Sequence, residues 1–117
     1  PDPVMPMPSV YGTTQVLALG EFGGLGLPVE GHTWQEKDNW GYQSFKNKEE
    51  LKKRYEDVVT DLWKLIPRGL SAGVYTQTTD VEIETNGLMT YDRKVIKISE
   101  EELKKIHSKL YDKSLVK

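Results

Sequence analysis

Residues 13–24 read TTQVLALGEFGG. Within them, Thr14 to Leu19 is short, apolar and partly β-branched, and it runs straight into glycine. That composition predicts a buried strand ending at a loop. A second stretch of the same kind is Leu70 to Thr76, LSAGVYT. Its small Ser71, Ala72 and Gly73 suit a crowded sheet that large neighbours approach closely. Between the two strands lies the clearest helical pattern in the chain. Asn47 followed three residues later by Glu50 predicts an N-cap with a capping-box partner. Leu51, Tyr55, Val58, Val59, Leu62, Trp63 and Ile66 then recur at spacings of three and four, one apolar stripe on a helix of about five turns. Pro67 and Gly69 end it.

Working outward, Gly20 to Phe45 is rich in glycine and aromatics and has neither a helical nor a strand period. A loop of that length in a compact domain is usually functional or disordered. Asp80 to Thr90 is polar and acidic, with Asn86-Gly87 as a turn signal, and Val95 to Ile98 reads as a short extended piece. Ser99 with Glu102 forms a second capping box, followed by Leu103, Ile106 and Leu110 on a final amphipathic helix. His107 beside that stripe reads as a surface or internally satisfied helical histidine. The order strand, long loop, helix, strand, long loop, helix predicts parallel strands joined by a helical crossover. In such folds the functional groups sit at the C-terminal ends of the strands, where Glu21 and the stretch from Tyr75 to Asp80 fall. Two such units leave a bare sheet edge, so self-association is expected of this chain. It opens Pro1-Asp2-Pro3, and four of its first eight residues are proline. Residues 1–13 are therefore expected to be an extended lead-in, belonging either to a piece of a larger protein or to a processed terminus.

The 117 residues correspond to one domain. Sixteen Lys and Arg against 18 Asp and Glu leave a formal charge of -2, which offers no electrostatic reason to expect a nucleic acid or an acidic membrane as partner. No apolar run approaches the roughly 20 residues of a membrane span, and no stretch reads as a signal peptide. With no cysteine, disulfides and thiol catalysis are excluded.

Glu21 is the main chemical candidate. A carboxylate directly after an apolar strand is held by rigid backbone at a pocket mouth, and glycines beside it let a substrate approach closely. A glycosidase nucleophile requires that setting; a charge at the N-terminus of a short helical turn or a loop salt bridge is the alternative. The GEFGGLG cluster lacks the lysine of a phosphate-binding loop and the spacing of a dinucleotide fingerprint. In the aromatic loop 31–42, His32, Trp34, Trp40 and Tyr42 offer ring faces and polar groups for a sugar, or anchor the loop on itself. Trp34, farthest from the helix, is taken to face a ligand. Gln77 is the expected hydrogen-bonding group at the end of the second strand. Asp80, Glu82 and Glu84 show no hydration-loop pattern for a cation and read as solvated or paired with Arg93 or Lys94.

Three ordered motifs, VLALGEFGG (16–24), GLSAGVYTQTTDVE (69–82) and NGLMTYDR (86–93), resemble the end of the catalytic barrel of glycoside hydrolase family 2, the β-galactosidase and β-glucuronidase family. The likeness covers Gln15 to Leu110. It implies a partial TIM (β/α)8 barrel comprising strands seven and eight with their helices. In that family strand seven carries the nucleophile in a Gly-Glu-Phe-like setting, which falls on Glu21. Strand eight ends in a V-W-x-W pattern whose tryptophan is a sugar platform; here Tyr75 stands at that place, with Gln77 two residues on. The resemblance implies a carbohydrate substrate, no organic cofactor and an Mg²⁺ or Na⁺ ion that no residue here places. A periplasmic or secreted location suits such an enzyme. The family's general acid/base is a glutamate in an Asn-Glu pair ending strand four. No such pair occurs in these residues, so the chain is expected to be inactive alone and to require the remainder of the barrel in cis. The other reading is a non-catalytic carbohydrate- or partner-binding module using loop 31–42.

Overall fold

In a computed structural model the structure describes residues 15–115; the expected lead-in over 1–13 lies outside them. Strand β1 (Leu17–Gly23) and strand β4 (Leu70–Thr76) pair in parallel. Helix α1 (Lys48–Leu65) lies between them in the chain, so the expected crossover unit is present. Two short strands inside the first loop, β2 (Leu25–Gly26) and β3 (Gln43–Ser44), form a second parallel pair. Helix α2 (Glu100–Ser108) follows the second loop.

Asn47 caps α1 as expected, its side chain accepting from the Glu50 amide at 2.9 Å. The Glu50 carboxylate accepts from the Lys46 amide at 3.2 Å, one residue before the cap, so the reciprocal half of the box is displaced. At α2 both halves of the Ser99–Glu102 box are present. The α1 stripe buries Leu51, Tyr55, Val58, Val59 and Leu62, while Trp63 turns to the edge of it and remains partly exposed. Each fully buried aliphatic side chain contributes about 1.5–3 kcal/mol relative to an exposed one. With Leu19, Phe22, Leu25, Leu27, Ile98 and Ile106 these residues make the core.

Strand β1 runs past its expected end at Leu19 and includes Glu21. The register explains how. Leu19 faces Gly73 and Phe22 faces Tyr75, so three steps along β1 match two along β4. This extra residue is a bulge, which re-aims side chains locally. Leu19 and Phe22 both turn toward the helix and are buried, although three positions apart, while Gly20 and Glu21 between them are exposed. On β4, Gly73 lies under the Phe22 ring, where a Cβ would stand 3.1 Å from Cε1. Ser71 and Ala72 are exposed, as is Val74 at 59%, so the crowding expected around this strand is realised only on its helix side.

The second loop differs more from expectation. The turn falls at Glu82-Ile83, where Val81 and Glu84 exchange backbone hydrogen bonds of 3.0 and 2.9 Å and Glu82 has a φ of 50°. Asn86-Gly87 is instead buried: a Cβ on Gly87 would stand 2.2 Å from the Asp80 amide nitrogen. That close approach to backbone is the reason for glycine there.

Candidate functional site

The parallel pair has two unlike faces. On the helix side, Tyr75 packs edge-on against Phe22 and Tyr55, with ring centroids 5.4 and 5.1 Å apart. Burial raises the pKa of its hydroxyl and pushes that of Tyr55 up to about 12. The Tyr55 hydroxyl and His107 Nε2 share a hydrogen bond of 2.6 Å, which makes His107 an internally satisfied helical residue. A cleft of about 670 Å³ opens here between α1, β4 and the turn after α2, lined by Phe22, Tyr55, Leu62, Leu70, Tyr75 and His107.

On the other face, Glu21 is exposed and its Oε1 accepts a hydrogen bond of 3.0 Å from the Thr76 hydroxyl. Thr76 lies opposite Gly23 in the ladder, and its carbonyl accepts from the Gly24 amide at 2.8 Å. The β4 side chain that meets Glu21 is thus Thr76, one residue beyond the expected Tyr75. Alternation along a strand sends adjacent side chains to opposite faces, and the contact of Tyr75 with Phe22 decides which face is which. Tyr75 therefore stands behind the sheet as seen from Glu21, with its ring committed to the core.

Gln77 follows Thr76 across a cis peptide bond. Its amide nitrogen donates to Asn86 Oδ1 at 2.5 Å and to Glu84 Oε2 at 3.3 Å. His32 Nδ1 is 2.7 Å from Asp92 Oδ2, and the Trp34 ring meets Tyr91 edge-on at 5.7 Å. The Thr90 hydroxyl first, and His32 second, hold the Asp92 carboxyl well below the usual carboxylate range. The structure thus distributes the expected residues over four places: Glu21 with Thr76, Tyr75 with Phe22 and Tyr55, Gln77 with Glu84 and Asn86, and His32 and Trp34 with Asp92 and Tyr91. Among the described residues, no hydrogen bond or ring contact joins His32, Trp34, Tyr75 or Gln77 to Glu21.

Of the acidic run, Glu82 is exposed as expected, whereas Glu84 accepts from the Gln77 side chain and Asp80 departs from its reading as solvated or paired with Arg93 or Lys94. Asp80 is buried and pairs with Lys97, whose Nζ reaches Asp80 Oδ1 and the Thr85 carbonyl at 2.7 Å each. The Gly87 amide also donates to Asp80 Oδ1 at 2.8 Å. Burial pushes the Asp80 carboxyl up and the Lys97 amine down, and the hydrogen bond between them opposes both. The available signal was a lysine within the apolar run VIKI at 95–98. Among the described residues, no group of three or more His, Asp or Glu side chains is placed to hold a metal ion, and no helix is long and apolar enough to cross a membrane.

No known protein family's profile matches this chain, and no curated protein matches it.

Proposed function

We propose that this chain supplies the last two β/α units of a retaining β-glycosidase barrel, with Glu21 as the nucleophile that forms the glycosyl-enzyme intermediate. The observation that carries this reading is the bulge in β1. It presents an exposed carboxylate near the C-terminal end of a strand in a parallel β/α unit, tethered by a hydroxyl on the neighbouring strand. Barrel enzymes place their chemistry at that end. Val74, an apolar side chain 59% exposed on the same side of β4 as Thr76, is one that further strands would cover. Retaining hydrolysis needs a second carboxyl group about 5–5.5 Å from the first. The reading assigns that acid to the rest of the barrel, and the substrate class to β-galactosides or related hexosides.

A 2-deoxy-2-fluoro β-galactoside that traps the intermediate in the intact barrel enzyme should label the peptide containing Glu21. Glu21→Gln should lower turnover by several orders of magnitude. Labelling of another carboxylate, or near-normal turnover in the variant, would remove Glu21 from the mechanism.

A further inference from the structure

Asparagine occurs three times in the chain, at Asn39, Asn47 and Asn86, and only Asn86 is followed by glycine. An Asn-Gly pair is chemically prone to lose its side-chain amide. The glycine amide nitrogen attacks the asparagine Cγ, and no Cβ on the attacking residue stands in the way. The reaction needs an amide nitrogen not held by an acceptor, a side chain free to swing over it, and water.

The fold withholds all three. The Gly87 amide donates to Asp80 Oδ1 at 2.8 Å in the interior. Asn86 Oδ1 accepts from the Gln77 side-chain nitrogen at 2.5 Å, which draws the side chain toward Gln77. The backbone is clamped on both sides of the pair: the Asn86 carbonyl accepts from the Gln77 amide at 3.2 Å, and the Leu88 amide donates to the Gln77 carbonyl at 3.0 Å. Asn86 is 0% exposed, and Gly87 is buried against the backbone of Thr79 and Asp80. Only the leaving group, Asn86 Nδ2, has no hydrogen-bond partner among the described residues. The block therefore lies in the nucleophile and the carbonyl.

The same contacts make an acid at this place costly. The Gln77 side-chain nitrogen also donates to Glu84 Oε2 at 3.3 Å, so a carboxylate at position 86 would share one neutral donor with a second carboxylate. Repulsion between like charges and the loss of hydration on burial both disfavour it.

We propose that Asn86-Gly87 is a self-modification site that the fold keeps shut and that opening of the second loop releases. In the open loop the Gly87 nitrogen bonds to Asn86 Cγ, its proton passes to solvent, and the bond to Nδ2 breaks with release of ammonia. Water then splits the five-membered imide at either carbonyl, which leaves aspartate or isoaspartate at position 86. One water is consumed and one ammonia released, with no change of oxidation state. The product carries the charge that Glu84 and burial penalise. Isoaspartate also adds a carbon to the main chain, which breaks the register between residues 77–78 and 86–88. Opening of the loop is thereby made permanent by the loop's own chemistry. None of this depends on the glycosidase reading.

The test incubates the 117-residue chain in mildly alkaline buffer, with and without guanidinium chloride, and follows the tryptic peptide 69–93 by mass spectrometry. In denaturant that peptide should take on the mass of the acid, with isoaspartate resolved as a separate peak, while Asn39 and Asn47 lag behind. In native buffer conversion should be slower by about tenfold or more, since it proceeds only through the open fraction. Asp80→Ala, which frees the Gly87 amide, should raise the native rate toward the denatured one. Gly87→Ala should slow conversion in denaturant, where folding plays no part. Asn86→Asp, the product made directly, should melt at a lower temperature than the parent. Equal rates in native buffer and denaturant, or a native rate unchanged by Asp80→Ala, would overturn the shut site. An Asn86→Asp chain as stable as the parent would overturn the permanence of opening.

Discussion

The loops that follow β1 and β4 emerge from the same end of one parallel pair, and they treat polarity in opposite ways. The first holds Trp34, Trp40 and Tyr42 in solvent while its backbone is satisfied by neighbouring segments. The second turns Asp80, Thr85, Asn86, Thr90 and Lys97 inward until each is 4% exposed or less, and leaves Val81 and Ile83 outside at 55% and 42%. Hydrophobic character alone would predict the reverse of both. The difference shows a division of labour. The buried polar loop is a scaffold whose bonds hold the aromatic loop, through Ile83 and Thr85, against Trp40. A scaffold of this kind is expensive to break, because a buried polar group that loses its partner bears its desolvation cost uncompensated.

The comparison can be broken most forcefully at Asp80. Asp80→Asn removes the charge facing Lys97, and by chemical denaturation it should cost about 3–5 kcal/mol. The double variant Asp80→Leu with Lys97→Met should recover most of that loss, since a buried pair replaced by apolar groups is often neutral. Trp40→Ala in the other loop should cost only about 0.5–1.5 kcal/mol, the worth of the edge contact with Tyr42 that it removes. Equal costs at the two sites would erase the distinction between the two loops. An effect smaller than that of Asp80→Asn is expected from Gly87→Ala, whose Cβ would meet the Asp80 backbone at 2.2 Å. It should destabilise by about 1–3 kcal/mol through overpacking, read as a lower melting temperature.

The smallest effect sharpens the contrast between the sheet's two faces. Burial lowers the pKa of His107 where it meets Tyr55. A lowered histidine pKa means the unfolded chain takes up the proton first as pH falls. The stability of the neutral His107 is therefore fully present above about 6.5, the unfolded value, and is lost as pH drops from there through the folded value. Melting temperature should fall between pH 7.5 and 5.5, and His107→Gln should flatten that slope. An unchanged slope in the variant would show that the histidine takes no part in it.

Much of the architecture was legible in the chain. The α1 stripe, both cap residues and the limits of β4 follow from spacing and local hydrogen-bond chemistry, which act within one turn of backbone. The parallel pairing follows from element order. The end of β1 was not legible, because whether glycine continues a strand depends on a distant partner, as Gly23 does on Thr76. The carboxylate at Glu21 stood out by its position after an apolar run, whereas its hydrogen-bond partner did not. Thr76 is one residue from the expected Tyr75, and in a strand one residue is the difference between two faces.

From local pattern and order, the sequence by itself determined two β/α units, a carboxylate near the end of the first strand and an aromatic-rich loop beyond it. Tertiary structure decided the rest. A bulge opposite Gly73 and Tyr75 turned Glu21 outward, and the Phe22 contact drew Tyr75 into the core. Lys97 was pulled inward by the carboxylate of Asp80, a residue 17 positions away. Each of these outcomes depends on pairings between residues distant in sequence, and only the folded chain brings such partners to one place.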